Sequence, residues 1–138
     1  MKKGLNALGT HLLIEFYNCD RKVLDDEKSM EGLFINAARK AKATVVEQVF
    51  HKFSPHGVSG VVVISESHLA VHTWPEYGYA AVDIFTCGTE IDPWVAQKVI
   101  RDGLKAENTT ALEMKRGSLQ LPQGQLTHKP LASIAASQ

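Results

Sequence analysis

Residues 57–88 read GVSGVVVISESHLAVHTWPEYGYAAVDIFTCG, and the alternation within them decides the fold. In residues 69–74 the apolar Leu69 and Val71 share one side of a strand, leaving His68, Ala70, His72 and Trp74 on the other. In residues 80–87 Val82 and Ile84 share one side, and Asp83, Phe85 and Cys87 stand opposite. Two neighbouring strands thus send aliphatic groups one way and proton-transferring groups the other. A functional site is expected on the polar side, held by a rigid sheet.

Working outward, residues 10–17 and 44–53 read as strands before this block, and residues 58–65 as a strand opening it. Between the first two, Asp25 or Asp26 caps a helix reaching about residue 42, with Met30, Leu33, Ala37 and Ala41 at helical spacing. Turns are expected at residues 54–57 and 75–78. Asp92 followed by Pro93 starts a second helix to about residue 104, with Val95, Val99 and either Ala96 or Ile100 on its apolar face. A last strand spans 108–115, and residues 117–138 read as a loosely ordered tail. The pattern implies one domain over residues 1–138 of the α+β class. It is a two-layer α/β sandwich, a mostly antiparallel sheet with two helices on one face.

Composition sets limits on function. Hydrophobic residues make up 44% of the 138-residue chain and charged residues 22%, as in ordinary globular domains. Fifteen basic residues balance fifteen acidic ones, so no overall field draws the chain to nucleic acid or to an anionic membrane. Asn6, His11 and Glu15 interrupt the apolar stretch behind Met1, and no run approaches membrane-spanning length. Cys19 and Cys87 do not make a disulfide framework. These features lead us to expect a cytoplasmic protein with no nucleic-acid or membrane partner.

Taken singly, the polar residues have ordinary readings. Ser67 is a turn serine, His72 a strand histidine and Cys87 a small buried hydrophobe. Ser59 is a strand hydroxyl, Phe53 a core ring and Glu76 a turn carboxylate. A metal-binding module is another reading, since His51, His56, His68, His72 and Cys87 are all potential ligands. Their spacing matches no metal motif, so we expect no metal site.

Taken together, GTHLLIEFYNCD near the start, HKFSPHGVSG, the SESHLAVHTWPEYGYAAVDIFTCG block and DPW closely resemble the prokaryotic S-adenosylmethionine decarboxylases. That family is pyruvoyl-dependent and self-processing. The resemblance implies that the Ser67 hydroxyl attacks the carbonyl of Glu66 and forms an ester. Loss of the Ser67 Cα proton then expels the Glu66 carboxylate and leaves a dehydroalanine, which hydrolyses to a pyruvoyl cofactor. The fragments would be 1–66 and 67–138.

His72 matches the family's processing base, Ser59 a hydroxyl that assists processing, and Cys87 the catalytic proton donor. Phe53 lies where an aromatic ring stacks on adenine, and Glu76 could hold a ribose diol. The implied activity is Schiff-base decarboxylation of S-adenosylmethionine, giving the aminopropyl donor for spermidine synthesis. The implied assembly is a homodimer of cleaved protomers. The same chemistry on ornithine or arginine, and a catalytically silent relative, are the alternatives.

Overall fold

The computed structural model describes residues 7–120. In chain order these form β1 (Gly9–Tyr17), α1 (Arg21–Leu24), α2 (Glu27–Lys40), β2 (Val45–Lys52), β3 (Val58–Ile64), β4 (Ser67–Trp74), β5 (Tyr79–Cys87), α3 (Pro93–Leu104) and β6 (Asn108–Arg116). A single 3₁₀ turn, Pro75–Tyr77, joins β4 to β5. The six strands make one sheet in the order β2-β3-β4-β5-β1-β6, and every neighbouring pair is antiparallel. The expected two-layer architecture is therefore present. Most of the expected tail, residues 121–138, lies outside the described residues.

Aspartates start all three helices by accepting backbone N–H bonds on their side chains: Asp20 for α1, Asp26 for α2 and Asp92 for α3. At α2 the cap is Asp26, because Asp25 is used elsewhere. Its carboxylate accepts the Gly57 N–H at 2.8 Å and pairs with Lys52 at 3.3 Å. The short α1 has too few residues to show a hydrophobic period, and the sequence pattern does not reveal it.

The sheet buries one face against the helices. Leu12, Ile14 and Phe16 of β1, Val62 and Ile64 of β3, Leu69 and Val71 of β4, and Val82 and Ile84 of β5 all point there. They meet Met30, Phe34, Ala37 and Ala38 of α2 and Ala96, Ile100 and Leu104 of α3. Burial of each large aliphatic or aromatic side chain contributes roughly 1.5–3 kcal/mol. Gly60 in β3 has a local reason: a Cβ there would fall 2.1 Å from Phe50, whose ring lies over that backbone. The buried stripe of α3 is Pro93, Ala96, Gln97, Ile100 and Leu104. Val95 is 37% exposed and Val99 only packs at the edge, so of the expected alternatives Ala96 and Ile100 both face the core.

The opposite face carries no helix. Register places Ser59, Val61 and Val63 of β3 beside His72, Ala70 and His68 of β4, and next to them Ala81, Asp83 and Phe85 of β5. In the middle row Val61 and Ala70 lead to Asp83, beyond which stand Leu13 of β1 and Leu112 of β6. Leu13 is 43% exposed and Leu112 62%, unusual for adjacent aliphatic residues on a sheet.

Candidate active site

Two groups of polar side chains gather towards the two ends of β4. The first is built on the hairpin between β3 and β4. Ile64 and Ser67 are register partners, so Ser65 and Glu66 alone make the turn. Glu66 has φ of 72°, in the left-handed region that costs a side-chain-bearing residue about 1–2 kcal/mol. That bend places the Ser67 hydroxyl on the carbonyl oxygen of Glu66, to which it donates a hydrogen bond. From the end of β5, the sulfur of Cys87 lies 3.1 Å from the same serine oxygen. Ser67, Glu66 and Cys87 are therefore in contact.

The second group stands at the other end of β4. Ser59 and His72 are register partners, with Ser59 Oγ 2.7 Å from His72 Nδ1. The backbone here is fixed from the helix side. Thr73 Oγ1 accepts the Val58 N–H at 2.9 Å and donates to the Leu24 carbonyl at 2.8 Å, both buried. Phe53 lies nearby, half-exposed, with its ring 4.6 Å from that of His51. Glu76, on the 3₁₀ turn, meets His56 Nε2 at 2.7 Å, in a pocket lined by Lys22, Asp25 and Lys28 beside α1 and α2. The Glu76 carboxyl is held below its ordinary range by its own backbone N–H first and by His56 after that. Trp74, Tyr79 and Tyr17 form an aromatic ladder with centroids 5.3 and 5.6 Å apart. The Tyr79 hydroxyl donates to Glu15, and burial together with that carboxylate pushes the phenol upward.

The structure does not bring Ser67 and His72 together within one protomer. They are five residues apart on an extended strand, a separation of about 16 Å at ~3.3 Å per residue. The seven site residues thus split into Glu66, Ser67 and Cys87 at one end and Phe53, Ser59, His72 and Glu76 at the other. Nor are the five potential metal ligands gathered. Among the described residues, the one group of three within 4.8 Å is His11, His68 and Asp83. The sequence puts Asp83 on the polar side of its strand but offers neither it nor His11 as a metal ligand.

The model of the S-adenosylmethionine decarboxylase family matches residues 10–117. The chain belongs to that family. An S-adenosylmethionine decarboxylase proenzyme from Caldanaerobacter subterraneus subsp. tengcongensis is 57% identical over 118 residues, 86% of this chain and 95% of the relative. One of the same name from Thermotoga maritima is 54% identical over 113 residues, 82% of this chain and 87% of the relative. The crystal structure of the adenosylmethionine decarboxylase from Aquifex aeolicus superposes with a TM-score of 0.80 at 30% identity. It covers 88% of this chain and all of that one. None of the helices among the described residues is long and apolar enough to cross a membrane.

Proposed function

We infer that this chain is a self-processing S-adenosylmethionine decarboxylase that makes its pyruvoyl cofactor from Ser67. One observation carries the reading: in a member of this family, the Ser67 hydroxyl is already set on the Glu66 carbonyl, at a turn residue with positive φ. Attack of Oγ on that carbonyl carbon breaks the peptide C–N bond as the nitrogen takes up a proton, leaving an ester. Removal of the Ser67 Cα proton breaks the Cβ–O bond and releases Glu66 as a carboxylate. Water then replaces nitrogen, with ammonia leaving, and the ketone forms. Backbone strain at Glu66 favours the first step, because cleavage releases it.

A pyruvoyl group at this position would supply a ketone for the substrate amine and an electron-withdrawing carbonyl during loss of carbon dioxide. The chain's own side chains do the rest. Cys87 holds a proton beside the reacting centre, ready for the carbon that loses carbon dioxide. His72, paired with Ser59, takes the Ser67 Cα proton during processing. Phe53 offers a half-exposed face to the adenine, and Glu76 offers acceptors to the ribose diol. The product is the aminopropyl donor used in spermidine synthesis, and the setting is the cytoplasm.

The separation of about 16 Å, at ~3.3 Å per residue along β4, supports a second copy that brings its His72 to Ser67. The open face exposes Val63, Leu13 and Leu112 around the Asp83 carboxylate, and a homodimer packed through this face would cover these aliphatic groups. A two-fold axis lying between the sheets and across the strands reverses strand direction in the partner. It sets the Ser67 end of one protomer against the His72 end of the other, so each dimer holds two composite sites.

The test is the intact mass of freshly purified, denatured protein. Fragments 1–66 and 67–138, the second with a pyruvoyl terminus, support the reading, and release of carbon dioxide from S-adenosylmethionine but not from ornithine or arginine fixes the substrate. A chain still whole after prolonged incubation would overturn it.

A further inference from the structure

Beside Ser67 and Cys87 stands a polar cluster that processing and decarboxylation leave unused. Asp83 on β5 receives two imidazoles on one oxygen: His68 Nε2 lies 2.7 Å from Oδ2, and His11 Nε2 2.9 Å from it. Arg116 on β6 reaches His11 Nδ1 at 3.0 Å. A guanidinium only donates, so Nδ1 of His11 is the acceptor and its proton sits on Nε2, directed at Asp83. The chain of contacts crosses four consecutive strands, β4-β5-β1-β6.

The same cluster grips Phe85. The ring stacks on His11 with centroids 4.9 Å apart, and the Arg116 guanidinium lies 5.4 Å from its centre. Phe85 is the register partner of His68, which directly follows Ser67, and it precedes Cys87 by two residues. Gly9 closes the arrangement. A Cβ there would fall 2.5 Å from the Phe85 ring and 3.2 Å from the Cys87 sulfur, so ring and thiol share the space that the glycine leaves.

His11, His68 and Asp83 are close enough to ligate a cation, but Arg116 opposes it. Ligation through His11 Nε2 would move the ring proton to Nδ1, against the guanidinium N–H, with a fixed positive charge alongside.

We propose that Asp83 is a positioning residue for the Ser67–Cys87 pair. It holds His68, the residue after the serine, and His11, the plate on which Phe85 rests, and so fixes where hydroxyl and thiol stand. This rests on the self-processing reading above. Displacing a nucleophile by about 1 Å costs on the order of a hundredfold in rate, which sets the scale of the effect.

Asp83→Ala and Asp83→Asn chains, made by cell-free synthesis, are followed for the fraction cut against time. Asp83→Ala is expected to cut roughly ten- to a hundredfold more slowly, and Asp83→Asn, which keeps one acceptor oxygen, to fall between it and the parent. The second readout needs no cofactor. In the uncut Ser67→Ala background, the rate of Cys87 alkylation is measured with and without Asp83→Ala. Buried Cys19, whose thiol is pushed up to about 11, serves as an internal check that the fold is intact. Severalfold altered alkylation at Cys87 with Cys19 still protected supports positioning.

If Asp83→Ala exposes Cys19, the pair His68→Gln and His68→Ala decides. The His68→Gln chain retains an N–H donor for Asp83 and is expected to cut faster than the His68→Ala chain; equal rates overturn the proposal. So do a parent rate of cutting in Asp83→Ala and unchanged alkylation at Cys87. A parent chain that never cuts refutes the processing reading instead, while the alkylation comparison still judges Asp83.

Discussion

Mixing two inactive chains tests the composite site directly. Ser67→Ala removes the nucleophile, and His72→Ala removes the proposed base at the far end of β4, about 16 Å away at ~3.3 Å per residue. A general base must come within roughly 3 Å of the proton it takes, so no side-chain rotation closes that gap within one protomer. In a dimer of one chain of each kind, one composite site combines Ser67 of the His72→Ala chain with His72 of the Ser67→Ala chain. The other composite site lacks both. Random pairing at equal expression makes about half of all dimers mixed. About half of the His72→Ala chains, or about a quarter of all chains, should then be cut, and no Ser67→Ala chain should be. Denaturing electrophoresis with differently sized tags reads both numbers. If the mixture is cut no more than the His72→Ala chain alone, Ser67 and His72 do not work across protomers and the face-to-face arrangement fails.

Three further outcomes probe the parts separately. Leu112→Glu places a carboxylate among the exposed aliphatic groups of the open face. Sedimentation should then show a dimer weaker by about tenfold or more, since desolvating an unpaired charge costs several kcal/mol; an unaffected dimer would place the interface elsewhere. Thr73→Val keeps the side-chain shape but strips the buried Val58 N–H of its acceptor. In the uncut Ser67→Ala background, urea unfolding should show a loss of about 1–3 kcal/mol. Burial pushes the Cys19 thiol from 9.0 up to about 11, so the unfolded chain ionises there first. Its contribution to stability is present below pH 9 and lost as pH rises towards 11. Cys19→Ala should flatten that part of the urea-midpoint profile, and an identical slope in both proteins would reject the assignment.

The strands were legible because alternation is a local signal. Leu69 and Val71 against His68, His72 and Trp74 is enough to separate the buried face of β4 from the open one. Helix α3 shows the limit. Residues 93, 96, 97, 100 and 104 follow helical spacing, but Val95 and Val99 offer a second stripe about 100° round, and only docking on the sheet chooses between them. Ser67, His72 and Cys87 stand out together only through family resemblance, whereas the separation of Ser67 and Cys87 from His72 is set by register. The Asp83 cluster was not legible at all. His11 and Asp83 are 72 residues apart, and Arg116 lies further along still; parity puts Asp83 on the open face, but only strand order puts β1 beside β5.

That strand order would also let the chain survive the proposed cut. Cleavage before Ser67 would give one fragment with β1, α1, α2, β2 and β3 and another with β4, β5, α3 and β6. Were the strands in chain order, the fragments would share one boundary. In the order β2-β3-β4-β5-β1-β6 they share three: β3 against β4, β5 against β1, and β1 against β6. Strand β1 lies between two strands of the other fragment, hydrogen-bonded to both, with Leu12, Ile14 and Phe16 in the common core. The turn that would be severed holds Glu66 at a φ of 72°, in the left-handed region. The proposed cut would therefore fall at a turn in left-handed backbone, while strands far from it keep the pieces together.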